Sequence, residues 1–199
     1  MEKRALIILD LQNELIDPQG KVGSGGFWKV VAERDLVGKT AKVADRFRAK
    51  SWPVVFVRVG FENGYIDAIS RQSRLAHLKE MGALIIGEFG TGFPEGLSPM
   101  EGDLVVTKRA VNPFHNTSLL NWLYKNGIEH IVLAGVHTHM VVDSTARHGD
   151  DSGLYVTVLE DCCASPDMEL HEIECAKILP LFCRWTTGNK NPNHKHQYN

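Results

Sequence analysis

No apolar run in this 199-residue chain approaches the ~18 residues that a membrane-spanning helix requires. The opening MEKRALIILD holds too short an apolar stretch to act as a signal peptide, so the cytoplasm is the expected compartment. Positive charge is not in excess: the net charge is −2, and Lys and Arg are scattered rather than gathered into a stripe. Neither nucleic acid nor a membrane is therefore an expected partner. Two phosphate-binding signatures are missing, GxxxxGK(S/T) and a GxGxxG opening a helix. The glycine-rich stretch at Gly20, Gly23, Gly25 and Gly26 is thus not a nucleotide loop. Cysteine is sparse and late: Cys162, Cys163, Cys175 and Cys183 show no zinc-type CxxC pairing. Buried small thiols are expected of all four, with a redox role for the adjacent pair Cys162-Cys163 as the lesser alternative.

What is present is an ordinary globular composition, 43% hydrophobic and 23% charged. One domain over residues 1–187 is expected, followed by a polar, disordered tail over 188–199. His194 and His196 in that tail are taken as solvated rather than metal-binding. Short runs without polar alternation mark strands buried on both faces: Ala5–Leu9, Val54–Val57, Leu104–Val106, Ile131–Ala134 and Tyr155–Leu159, with a shorter strand around Phe182–Trp185. Helical spacing of apolar residues predicts helices over Leu36–Ala49, Ser118–Lys125 (capped by Asn116 or Thr117), Thr138–Asp151 and Asp167–Leu181, with another around Ser70–Lys79. Alternating strands and helices imply a three-layer α/β/α domain with a mainly parallel, Rossmann-like sheet of about six strands. Residues 60–100 are the least regular part and are expected to line a pocket or an oligomer contact.

Three strand ends carry groups capable of chemistry. The first strand closes at Asp10 and the third at Lys108; the fourth runs into the turn GVHTHMVVDSTAR, residues 135–147. A strand–turn–helix unit puts backbone N–H groups and the positive end of a helix at the sheet edge where open α/β sheets bind ligands. A carboxylate and an ammonium meeting there suit general acid–base work. A turn-capping Asp10 and a surface Lys108 explain the same residues equally well.

Taken together, Asp10-Leu-Gln-Asn, the segment KRAVNPFHNTSL from Lys108 and the 135–147 turn resemble the isochorismatase-like hydrolases, in order over roughly residues 4–185. The resemblance implies that family's fold, a small-molecule substrate, no cofactor, and a homodimer or homotetramer. In the amidohydrolase branch the catalytic set is Asp, Lys and Cys, which falls here on Asp10, Lys108 and position 141. There the Cys attacks a carbonyl to form a thioester, the Asp takes and returns a proton, and the Lys stabilises charge. A thiol at a helix start beside a Lys has the lowered pKa this needs. The resemblance also implies a non-proline cis peptide between Val136 and His137, and an oxyanion hole built around Val136, His137, Met140 and Val141. Phe114 is expected to wall the pocket. His137 and His139 either orient substrate or are satisfied by the turn itself. The Asp-x-His metal motif of the nicotinamidase branch is replaced here by Arg58-Val-Gly-Phe61, so no metal is expected. Arg58 would instead meet an anionic substrate, or pair with Asp10 or Glu62.

The departure lies at the decisive atom. Position 141 is Val, which has no lone pair and no acidic proton, so thioester chemistry cannot start there. None of the four Cys matches the nucleophile position, and Ser144 has no evident base. Three readings remain. The first is a thiol-free hydrolase, as in the isochorismatase branch, where the Asp protonates the enol carbon of a vinyl ether; the aromatic residue which that branch places three after its Lys is Val111 here. The second is an amide or ureide hydrolase whose Cys has been replaced; it is favoured by the likeness of the turn, and Val rather than Ala or Ser points to natural loss. The third is a non-catalytic binding or scaffold protein.

Overall fold

The computed structural model describes residues 3–69 and 73–188; the tail histidines His194 and His196 lie outside the described residues. In chain order the elements are β1 (Arg4–Leu9), α1 (Asn13–Ile16), α2 (Phe27–Glu33), α3 (Leu36–Ala49), β2 (Val54–Val59), α4 (Ser73–Glu80), β3 (Leu104–Lys108) and α5 (Leu119–Lys125). They continue with β4 (His130–Val136), α6 (Asp143–Asp151), β5 (Tyr155–Ala164), α7 (Met168–Ile173) and β6 (Arg184–Thr186).

The six strands form one parallel sheet in the order β3-β2-β1-β4-β5-β6. Every residue of β1 and β4 is buried, as expected of central strands covered on both faces. Alternation along β1 sends Ala5, Ile7 and Leu9 into a core beneath α5 and α6, and Leu6 and Ile8 into a second core beneath α2 and α3. Burying such side chains stabilises the fold by roughly 1.5–3 kcal/mol each. The strand order reverses between β1 and β4. That switch point leaves a crevice beyond their C-terminal ends, bounded by Asp10 on one side and the turn after Val136 on the other. Gly135 is required at this seam, because a Cβ there would stand 2.0 Å from the carbonyl oxygen of Leu9.

Several elements differ from the sequence expectation. Helix α2 was not foreseen, because it begins directly after the glycine-rich loop at Gly26 and offers few turns of periodicity. Strand β5 runs on to Ala164 instead of stopping at Leu159, carrying Cys162 and Cys163 inside the sheet. The helix expected over Asp167–Leu181 is regular only to Ile173 and then widens and tightens before Phe182. Helix α5 opens at Leu119, whose amide donates to the Thr117 hydroxyl at 3.2 Å. The helix after β4 opens with a wide π turn over Thr138–Val142 before α6 becomes regular. At the far end, Gly188 is tied to the body, its amide donating to Asp161 and its carbonyl accepting from Arg46.

Candidate active site

Asp10 follows the last residue of β1 and adopts a left-handed backbone conformation, φ 58°, which aspartate tolerates better than most residues. The chain thereby leaves the sheet and its carboxylate faces the crevice. Lys108 ends β3 and reaches the same point, with Nζ 2.8 Å from Asp10 Oδ2 and 2.7 Å from the carbonyl of Val111. The two side chains are 7% and 1% exposed, so this is a buried ion pair and not a turn cap beside a surface charge. Burial pushes the Asp10 carboxyl up despite the nearby ammonium, and the same desolvation pulls Lys108 down. Among the described residues Asp10 Oδ1 has no hydrogen-bond partner.

The pair stands in the wall of a cavity of about 450 Å³, within the range typical of small-molecule sites. Val136, His137, Met140 and Val141 line it, and the peptide between Val136 and His137 is cis. Val141 presents its buried side chain to the cavity and to the core beneath α6. The amides of Met140 and Val142 both donate to the carbonyl of His137, at 3.1 and 3.4 Å. His137 sits edge-on to Phe27, with ring centroids 4.9 Å apart, and stacks on His139. Burial, with His139 alongside, pushes its imidazole down to about 4, so it is neutral at physiological pH. His139 turns away to Ser165, at 2.9 Å.

Two expected site residues are elsewhere. Arg58 does not enter the cavity: its guanidinium donates to Thr107 Oγ1 at 3.0 Å and to the carbonyl of Thr91 at 2.8 Å. The cause is strand parity, since its neighbour Val59 lines the cavity and side chains alternate across the sheet. Phe114 lies in the core with Val141, Val142 and Leu119, packed against His148. Ser144 accepts from Asn112 Nδ2 at 2.9 Å, which gives it a structural partner and no base.

All four cysteines are free and buried, and burial pushes Cys162, Cys175 and Cys183 up to about 12 and Cys163 well above the ordinary value. None of them is a ready thiolate. Among the described residues no group of three or more His, Cys, Asp or Glu converges as a metal site.

Residues 60–100, expected to line a pocket or an oligomer contact, line the cavity through Phe61, Arg74, His77, Leu78, Met81 and Leu84. Lys21, Val22, Ser24 and Gly25 of the glycine-rich loop join them without having been foreseen. Behind the turn runs a relay, buried at its start and part-buried at its end, that no sequence pattern announced: Thr138 Oγ1 to His171 Nδ1 at 2.8 Å, His171 Nε2 to Glu160 at 3.1 Å, and Glu160 to Arg34 at 2.7 Å. The bond from His171, reinforced by Arg34, holds the Glu160 carboxyl down at about 2.

Known proteins share both this architecture and the sequence around it. The Isochorismatase domain model matches residues 4–190. An uncharacterized isochorismatase family protein of Escherichia coli O157:H7, YecD, is 29% identical over 90% of this chain and 89% of its own length. The ureidoacrylate amidohydrolase RutB of Stutzerimonas stutzeri is 28% identical over 92% of this chain and 79% of its own. The N-carbamoylsarcosine amidase of Thermoplasma acidophilum superposes with a TM-score of 0.74 at 24% identity, over 96% of this chain and 99% of that one. With a family match that spans nearly the whole described fold, this chain belongs to the isochorismatase family.

Proposed function

We propose that this chain is a small-molecule hydrolase built for amide or ureide C–N bonds, with Asp10 and Lys108 as its proton-transfer pair and its nucleophile position disabled. The observation that carries the reading is the side chain of Val141, which lines the cavity together with the buried Asp10–Lys108 pair. In a thiol enzyme of this plan, Asp10 takes the thiol proton and returns it to the leaving nitrogen, while Lys108 balances the charge. Val141 offers only methyl groups, so water has to attack directly and amide cleavage is weak or absent. RutB is a ureidoacrylate amidohydrolase and the Thermoplasma protein an N-carbamoylsarcosine amidase, which favours ureides among candidate substrates.

A second reading has its own observation. Asp10 keeps one oxygen unpartnered among the described residues, and burial raises its affinity for a proton. Such a carboxyl suits protonation of an enol carbon, the thiol-free vinyl-ether hydrolysis of the isochorismatase branch.

The deciding experiment sets Val141→Cys against the unaltered chain. Both are screened for ammonia release from small amides and ureides, ureidoacrylate and N-carbamoylsarcosine included, and for isochorismate cleavage. The expected outcome is ammonia release that rises at least ~10³-fold in the Cys variant, blocked by a thiol reagent that leaves the deeply buried native cysteines untouched. Isochorismate cleavage by the unaltered chain, lost in Asp10→Asn, would establish the second reading. Silence from both proteins, with a ligand still bound, would make this a binding or scaffold protein. The resemblance also supports a homodimer or homotetramer, to be read by sedimentation equilibrium. A cytoplasmic home is supported by the four free thiols, and no helix among the described residues is long and apolar enough to cross a membrane.

A further inference from the structure

Six side chains that are cations or become so on protonation line the cavity (Lys21, Arg74, His77, Lys108, Arg109 and His137, the last neutral at physiological pH), against one carboxylate, Asp10. Asp10 is taken by Lys108. Lys21 is bonded to the carbonyl of Gly82 and lies 3.4 Å from Glu88. Arg109 is held by Asp67 and lies 3.8 Å from Glu62. His77 has Glu80 at 3.8 Å. Arg74 differs from these: among the described residues its guanidinium has no hydrogen-bond or ion-pair partner, while its positive field reaches the Lys108 ammonium. The wall around it is apolar, formed by Leu78, Met81, Phe61, Val22, Leu15 and Met140.

We propose that Arg74 is an anion reader for this cavity, and that the ligand is a small molecule with an apolar body and a carboxylate, the carboxylate set against Arg74 and the scissile group against Asp10. The chemistry follows from the inventory. A guanidinium offers a planar fork that fits a carboxylate with two parallel hydrogen bonds. The neighbouring cations already carry carboxylates of their own, so Arg74 is where an added negative charge is balanced. The apolar walls supply binding area and exclude a strongly polar body. This inference deepens the reading of the cavity as a hydrolase substrate site and rests on it, but its test reads binding and not turnover.

The test titrates the unaltered chain by calorimetry with two matched pairs: N-carbamoyl-leucine against 3-methylbutylurea, and phenylacetate against phenylacetamide. The carboxylate of each pair is expected to bind about tenfold more tightly than its neutral partner. In Arg74→Gln that ratio falls to about one while the neutral compounds bind unchanged, and Arg74→Lys recovers part of the preference. Arg74 is exposed, so neither substitution disturbs the core. A ratio near one in the unaltered chain overturns the proposal. So does a preference that survives Arg74→Gln, or failure of both carboxylates to bind at about 10 mM. A carboxylate preference that persists while Val141→Cys releases no ammonia from any substrate retires the hydrolase reading and leaves the anion reader standing.

Discussion

Asp10 and Lys108 meet at 2.8 Å where neither has appreciable contact with solvent. Taking two charges out of water costs several kcal/mol per ion, and their mutual attraction repays this only when the remaining polar atoms are also bonded. Here the Lys108 ammonium has a second partner in Val111, but Asp10 Oδ1 has none among the described residues. The shifts agree in direction. A carboxyl raised in the fold adds stability only below its unfolded value, and that is lost as pH rises through the folded value. An ammonium lowered in the fold adds stability above its unfolded value, lost as pH falls through the folded one. At neutral pH the charged pair is therefore a burden on the fold. Lys108→Met, which strands the carboxylate, should cost about 3–5 kcal/mol at neutral pH. That cost should shrink towards acid pH as Asp10 takes up a proton. Adding Asp10→Asn, which suits the same left-handed backbone, should recover most of the loss. Urea unfolding of the single and double variants at pH 5 and 7.5 checks this; a double variant no more stable than the single would show that the pair is a structural asset.

The turn that carries His137 to Val141 is held at the element scale, from behind. Thr138 reaches His171 at the end of α7, His171 reaches Glu160 in β5, and Glu160 reaches Arg34, the residue after α2. One carboxylate thus ties the turn, through α7, to the end of α2. Its pKa is depressed in the fold, so its contribution is present above the ordinary value of 4.5 and is lost as pH falls through about 2. Thermal unfolding followed between pH 5 and pH 2 should show this acid limb, and Glu160→Gln should flatten it. At pH 7 that substitution should cost about 1–2 kcal/mol, a charged hydrogen bond discounted for partial exposure. An acid limb identical in both proteins would mean that Glu160 is not the coupling group. At this scale the sequence was readable where a charge breaks a pattern: apolar runs that stop at Asp10 and Lys108 mark the strand ends, and both side chains meet in the cavity wall. It was unreadable where parity or tertiary contact decides. Arg58 and Val59 are neighbours in a strand, and nothing in their order says which of the two faces the cavity. Phe114 looks the same as a pocket wall or a core residue until α6 is placed against it. The relay was invisible because Thr138, Glu160 and His171 are brought together only by packing.

At the scale of the whole molecule the cavity is a meeting of segments far apart in the chain. The glycine-rich loop gives Lys21 to Gly25, the irregular stretch after β2 gives Phe61 to Leu84, β3 ends in Lys108, and the turn after β4 gives Val136 to Val141. The alternation of strands and helices already implied the sheet, and the strand reversal between β1 and β4 places the crevice. The irregular stretch has no periodicity to read, so the sequence left it between a pocket wall and an oligomer contact; the fold gives it a small core of its own, Phe61, Leu75, Ala83 and Leu84, and a place in the cavity wall. Because these walls are separate, a bound ligand bridges them, and its binding energy acts on the fold as a unit. A ligand present at a hundred times its dissociation constant adds about 2.7 kcal/mol to the native state. For a domain of this size that corresponds to a rise of about 5–10 °C in melting temperature. The same ligand should slow amide exchange in residues 74–84 and in residues 136–142 together, since each segment supplies one wall. The strand β1, already buried on both faces, should change little until global unfolding. N-carbamoyl-leucine serves as the probe, with exchange read by mass spectrometry on the unaltered chain. Protection confined to one wall, or an unmoved melting temperature at saturation, would mean that the ligand sits at the rim and does not enter the space between Arg74 and Asp10.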